Sequence, residues 1–179
     1  LVETIGDPAE AVSHYERAIA LTRDLVRQGA PTPAAEGPRR ASGADHDEPQ
    51  TLLARSLNAL GRAFQRLQRF DEAKKRFQEA ADLRQALATA APDDPERARE
   101  LANSLMNLGQ LAAFQQDFAA ALPLLEQAQA LRLARHDADA SPALVRDLGQ
   151  GHYNLALVRF QTGDDAAAQD ELEAAVAAF

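Results

Sequence analysis

The sequence predicts an all-α protein built from repeated pairs of helices. Three observations support this fold class. Ala, Leu, Arg, Gln and Glu, which are strong helix formers, dominate the 179 residues. Alternating runs of Val, Ile, Thr and aromatic residues, which are typical of strands, are missing from the sequence. The third observation is a helix–break–helix pattern that recurs along the chain.

The composition excludes several kinds of site. The chain has no cysteine, which rules out disulfides and thiolate metal sites. Together with a start that does not resemble a signal peptide, this favours a cytoplasmic protein. No apolar run approaches the length that crosses a bilayer, so we expect no membrane association. The first residue is Leu1 rather than Met, so we expect a piece of a longer chain or a processed one.

The charge is unevenly distributed. The net charge of −8 disfavours nucleic-acid binding, because such binding depends on neutralising phosphates. Residues 51–90 nevertheless contain eight basic and four acidic side chains, which gives this segment a charge of +4 and leaves −12 for the rest. A basic band in an acidic protein is a candidate binding surface.

An internal repeat organises the chain. Residues 56–80, 104–128 and 151–175 align in one register, and residues 6–18 match the second half of the pattern. The full repeats follow one another at spacings of 48 and 47 residues. Small residues mark the equivalent positions of the repeats. They are Gly61, Gly109 and Ala156 in the first helix, and Ala11, Ala73, Ala121 and Ala168 in the second.

We expect one domain over residues 1–179 with about 3.5 repeats. Residues 29–50 are rich in Pro, Gly, Ala and Asp and lack an apolar period, which indicates an inserted, flexible loop. His46, Asp47 and Glu48 lie in this loop, but adjacent residues rarely converge on one ion, so a solvated loop is favoured over a metal site. The repeats are assigned to residues 1–28 (partial), 51–91, 96–138 and 142–179.

Each full repeat is predicted to be two antiparallel helices, for example from about Pro95 to Gln115 and from about Phe118 to Arg135. Breaks recur at residues 6–8, 69–71, 116–117 and 163–164, where Asp can cap the incoming helix. Glycine inside a helix costs about 1 kcal/mol relative to alanine. Close helix packing outweighs this cost, because burying one Leu or Phe contributes about 1.5–3 kcal/mol. The predicted core residues are Leu60, Phe64, Phe77, Leu108, Leu125, Leu155 and Leu172.

The pattern resembles the tetratricopeptide repeat (TPR). The resemblance is carried by Leu60-Gly61, Phe64, Ala73, Phe77 and Ala80, and by their equivalents one repeat later. Leu57, Leu105 and His152 stand where that family has Trp. The "SLxNLG" opening and the long period look like the kinesin-light-chain type of this repeat, which is also widespread in bacterial proteins. The resemblance implies a right-handed α–α superhelical solenoid of antiparallel helix pairs.

The resemblance also implies a concave groove, lined by the first helices, that takes peptides or partner segments. The matching positions recur every three or four residues, which places those of one helix on a single face. The implied partner-binding residues are Arg55, Asn58, Arg62, Gln65 and Arg66 in the second repeat, Asn103, Met106, Gln110 and Phe114 in the third, and Tyr153, Leu157 and Phe160 in the fourth.

The chemistry of these positions suggests a hypothesis for the ligand. Guanidinium groups suit carboxylates, and Phe114 with the fourth-repeat residues forms a semi-apolar floor. We therefore expect an acidic peptide with a hydrophobic anchor. Two alternatives stay open. The arginines of the second repeat could simply be the solvent-exposed charges of a helix surface. Tyr153, Leu157 and Phe160 could pack against a following helix.

The sequence carries no sign of catalysis. His14, His46, His136 and His152 have no ligand partners at helical metal-site spacing, and no phosphate loop or nucleophile motif is present. We expect no enzymatic activity, no cofactor and no metal. The leading prediction is a protein-binding module within a larger chain. A peptide-sensing domain that controls an attached effector, and a scaffold that self-associates through uncapped ends, are the competing interpretations.

Overall fold

The computed structural model describes residues 8–27, 49–136 and 141–178. All regular structure in these ranges is α-helical, which confirms the predicted fold class. The helices are α1 (Pro8–Arg27), α2 (Pro49–Arg66), α3 (Phe70–Ala90), α4 (Pro95–Phe114), α5 (Phe118–His136), α6 (Pro142–Gln161) and α7 (Asp165–Ala178).

The predicted loop and the second repeat meet at a slightly different boundary from the one expected. Helix α2 begins at Pro49, two residues inside the segment assigned to the loop. Proline suits the first turn of a helix, because its φ is preset and its missing N–H would lack a helical partner there. Residues 29–48, with His46, lie outside the described residues.

The contacts divide the chain into two compact units, Leu1–Leu87 and Ala88–Phe179. In the first unit α1 packs against α2, and Arg23 of α1 binds Glu79 of α3 at 2.6 Å. In the second unit α4 packs against α5, α5 against α6 and α6 against α7. Adjacent helices are therefore neighbours in space within each unit, as expected of a helical-repeat protein.

The turn inside each helix pair has the same backbone conformation in all three full repeats. The residue two positions before each second helix has a positive φ: 59° at Gln68, 61° at Gln116 and 82° at Gly163. The N–H of the next residue reaches back five residues to a helix carbonyl, as from Asp117 to Ala112 at 2.9 Å. This is the hydrogen bond that closes a helix through a left-handed residue.

Replacing Gln116 with glycine is expected to stabilise the second unit by about 0.5–1 kcal/mol, because glycine adopts a positive φ without steric cost. The measurement is the midpoint of urea unfolding followed by circular dichroism. Gln115→Gly is the matched control. Gln115 has a φ of −79°, so glycine gains nothing there, and an equal gain from both substitutions would contradict the explanation.

The predicted aspartate caps are found where the structure describes them, with one exception. Oδ1 of Asp117 accepts from the N–H of Ala120 at 3.2 Å, and Oδ1 of Asp164 accepts from the N–H of Ala167 at 3.3 Å. Arg69 occupies the equivalent position before α3 and instead binds Glu72 with its guanidinium. The prediction of a cap from residues 69–71 was therefore wrong, because Asp71 lies within the first turn of the helix.

The small residues mediate close helix packing, as predicted. A Cβ atom built on Gly61 would lie 2.5 Å from Cε1 of Phe77, and one built on Gly109 would lie 2.7 Å from Cδ2 of Leu125. No carbon side chain fits at those distances without displacing its neighbour. Ala73, the small residue of the partner helix, has no exposed surface.

The predicted core is confirmed except at one position. Leu60, Phe64, Phe77, Leu108, Leu125 and Leu155 are at most 4% exposed. Leu172 is 45% exposed, so its assignment to the core was wrong. The equivalent Leu125 lies on α5, which α6 covers, whereas Leu172 lies on α7, the last helix of the described residues.

Candidate functional site

The basic band of the first unit lies partly on the exposed face of α2. Arg55, Arg62 and Arg66 are exposed and Gln65 is half-buried. Their spacing follows the helical period, so the positive charges share one side of α2. This surface can bind carboxylates through guanidinium hydrogen bonds.

Asn58 differs from these neighbours. It is only 7% exposed, so its side chain offers a peptide almost no surface. The prediction that Asn58 hydrogen-bonds a ligand is thus corrected. Its helical position matches the binding pattern, but burial removes it from the accessible surface.

Arg69 lies next to this surface and is engaged locally. Its guanidinium stacks over the Phe64 ring, 4.4 Å from the centroid, and it binds the Glu72 carboxylate. The hydrogen bond from Arg69 lowers the pKa of Glu72 and raises that of Arg69. Its positive charge is therefore largely compensated, and it is not a candidate for binding acidic groups.

In the second unit, the predicted site residues of α4 differ in how accessible they are. Phe114 is 64% exposed and Gln110 is half-buried. Met106 is only 5% exposed, and its sulfur accepts a hydrogen bond from Asn154 of α6 at 3.1 Å. The prediction that Met106 faces a ligand is therefore corrected, because α6 covers it.

Asn103 is also engaged within the protein. It is half-buried, and its Oδ1 accepts from Nη2 of Arg132 at 3.2 Å. A peptide backbone would have to compete with Arg132 for this oxygen. Asn103 thus contributes to the junction of helices more than to an open surface.

Helix α6 exposes an apolar stripe. Tyr153 and Leu157 are each 46% exposed, and Phe160 is 62% exposed. Their spacings of four and three residues place all three on one side of α6. Exposed aromatic and aliphatic side chains in a row are typical of surfaces that bind another molecule.

Sequence reasoning missed a buried polar junction between α5 and α6. Gln129 and Arg132 of α5 are 3% and 6% exposed. Nε2 of Gln129 donates to the Leu148 carbonyl at 3.2 Å, and Nη1 of Arg132 donates to the Asp147 carbonyl at 2.7 Å. A Cβ on Gly151 would lie 1.8 Å from Oε1 of Gln129. The signal in the sequence was Gly151 itself, a glycine within a helix that the repeat alignment did not explain.

A second polar cluster joins α6 to its neighbours. Nδ1 of His152 lies 2.7 Å from Oε2 of Glu171 on α7, and Arg159 binds Glu126 of α5 at 3.0 Å. His152 is half-buried at this junction. These side chains bind one another, so they connect α5, α6 and α7.

The described residues include a cleft but no cluster of side chains that could hold a metal ion. No three His, Cys, Asp or Glu side chains within the described ranges could jointly hold a metal ion. A cleft of about 250 Å³ lies near the N-terminal ends of α4 and α6 and is lined by residues that include Arg99, Glu96, Arg135 and Asp147. Arg99 binds Glu96 at 2.9 Å. The lining is charge-balanced and does not define a ligand.

Within residues 8–27, 49–136 and 141–178, no helix is both long and apolar enough to cross a membrane.

Comparison with known proteins supports the repeat assignment for part of this chain. Residues 52–134 match the family model of the tetratricopeptide repeat. The crystal structure of BtubC (BKLC) from P. vanneervenii has the same fold, with a TM-score of 0.62 and 22% sequence identity. The match covers 93% of this chain and 57% of BtubC, so the chain spans less than two thirds of that protein's length. No curated protein matches the chain.

The fold and the match together identify a helical-repeat protein. The match over residues 52–134 confirms the resemblance to the tetratricopeptide repeat that is carried by Leu60-Gly61 and its equivalents. Repeats of this family generally mediate protein–protein interaction or scaffolding and are typically non-enzymatic.

Proposed function

We propose that this protein is an interaction module that binds an acidic peptide with one hydrophobic anchor. Each of the two units carries one proposed determinant of its own. The exposed arginines of α2 bind carboxylates, and the exposed apolar side chains of α4 and α6 receive the anchor. The observation that carries the proposal is the apolar stripe at Leu157 and Phe160, which lies at predicted groove positions and is accessible.

The apolar determinant is supported by the contrast between the stripe and the core beneath it. Leu155 and Val158 of the same helix are 3% and 2% exposed and belong to the core of the second unit. The core is thus complete without Leu157 and Phe160. Burying one such side chain in a ligand interface would contribute about 1.5–3 kcal/mol before ordering costs.

The basic determinant is supported by the composition and exposure of α2. The helix carries Arg55, Arg62 and Arg66 and no acidic residue. Arginine pairs with carboxylates in a planar, two-bonded geometry, which favours acidic groups over a generic polar surface. Because these side chains are exposed, the attraction will weaken as salt screens it.

The test is fluorescence anisotropy with a labelled acidic peptide of about twelve residues that carries one central Leu. Arg62→Glu is expected to raise the Kd at least about tenfold, which corresponds to about 1.4 kcal/mol. Leu157→Asp is expected to do the same, and Arg62→Glu should flatten the salt dependence.

Arg146→Glu is the matched control, because Arg146 is an exposed arginine of α6 outside both determinants. Its Kd should stay within about twofold of the starting protein. If the Kd changes neither with salt concentration nor with Arg62→Glu, the arginines of α2 do not bind the peptide. If Leu157→Asp leaves the Kd unchanged, the apolar stripe of α6 does not bind the hydrophobic anchor.

A further inference from the structure

The exposed face of α2 contains two positive charges that no acidic group of the described residues balances. Arg62 and Arg66 are exposed, and within the described ranges neither forms an ion pair or a hydrogen bond. Other arginines of the first unit are bound to carboxylates. In the pairs Arg23–Glu79 and Arg76–Glu79, nitrogen and oxygen are 2.6 Å apart. Both guanidinium groups of α2 are therefore available to an external anion.

The side chains of Arg62 and Arg66 lie one helical turn apart. Residues at this spacing have Cβ atoms about 5–6 Å from each other, so their guanidinium groups can reach the same bound group. Like charges at this spacing repel each other, and α2 carries no acidic residue that would offset the repulsion. One anion bound by both arginines would remove it.

The charge and shape of the anion decide which acidic group suits this pair. A carboxylate carries one negative charge and presents two oxygens, both of which a single guanidinium group engages in the two-bonded geometry. A phosphate monoester carries a charge of about −1.5 to −2 at pH 7 and presents three acceptor oxygens, so it can accept from two guanidinium groups at once. Two carboxylates supply the same charge, but the ligand then has to order two side chains instead of one.

We propose that Arg62 and Arg66 together bind the phosphate group of a phosphorylated residue in the partner peptide. The proposal rests on the peptide-binding function proposed above and specifies the acidic group that this part of α2 prefers. An unphosphorylated acidic peptide still binds, but more weakly, because each carboxylate satisfies only one of the two guanidinium groups. Phosphorylation of the partner would thus raise its affinity.

The test compares four labelled variants of the acidic peptide by fluorescence anisotropy. Three of them differ at one position, which is phosphoserine, Asp or Ser. The fourth carries Asp at that position and again two residues later, which places two carboxylates about 6–7 Å apart along an extended chain. The phosphoserine peptide is expected to bind at least about fivefold more tightly than either Asp peptide and more tightly still than the Ser peptide.

Arg62→Gln and Arg66→Gln should each bring the Kd values of the phosphoserine and single-Asp peptides to within about twofold of each other, because one guanidinium group remains. Each variant is compared with itself on two peptides, so a loss of folded protein weakens both and leaves the ratio unchanged. Arg146→Gln is the matched control. Arg146 is exposed on α6, and the residues one turn from it, at positions 142, 143, 149 and 150, carry no charge. The ratio should stay at its starting value in this variant.

The proposal would be overturned by a phosphoserine peptide that binds no more tightly than either Asp peptide. A preference for phosphoserine that survives both Arg62→Gln and Arg66→Gln would also overturn it. Equal binding of the phosphoserine and Asp peptides would leave the peptide-binding function standing, whereas the absence of binding by all four peptides would remove both proposals.

Discussion

Leu125→Ala is expected to lower the free energy of unfolding by about 3–5 kcal/mol, whereas Leu172→Ala is expected to lower it by about 1 kcal/mol or less. The two leucines are equivalent residues of successive repeats. Leu125 has no exposed surface and Leu172 is 45% exposed. Truncating Leu125 leaves a cavity between α4, α5 and α6, while solvent already reaches Leu172.

The measurement is urea unfolding followed by helical circular dichroism, with both variants compared at the same protein concentration. The pair is its own control, because residue type, helix position and substitution are identical. Similar losses at both positions would mean that Leu172 is buried in solution.

Arg132→Ala is expected to cost about 2–4 kcal/mol, because it removes two charge-assisted hydrogen bonds from a buried position. Nη1 of Arg132 donates to the Asp147 carbonyl at 2.7 Å, and Nη2 donates to Asn103 at 3.2 Å. One guanidinium thus joins α4, α5 and α6. Desolvation on burial lowers the pKa of Arg132, which indicates that the charged form loses hydration here.

Arg132→Met separates packing from charge. Methionine keeps much of the volume and removes the cost of burying a charge, so we expect it to destabilise the protein less than alanine does. Arg146→Ala is the matched control, since Arg146 is exposed, and its effect should stay within about 0.5 kcal/mol. Unfolding midpoints in urea measure all three. Equal effects at Arg132 and Arg146 would contradict a structural role for the junction.

The comparison of equivalent positions shows how far the repeat pattern predicts the site. The pattern located the turns and the contacts of Gly61 and Gly109, because these depend on neighbours within one helix pair. It also located the exposed residues Leu157 and Phe160. It failed at Met106, since the residue that covers its sulfur, Asn154, lies in the next repeat.

The sequence alone determined the helices, their breaks and the small residues at which paired helices approach. These features follow from short-range rules, namely helix propensity, chain reversal and the helical period. Tertiary structure alone decided which of two equivalent leucines is buried and which polar residues join α5 to α6. Burial is a property of the neighbouring helix, so identical residues in identical registers differ when one face is covered and the other is open.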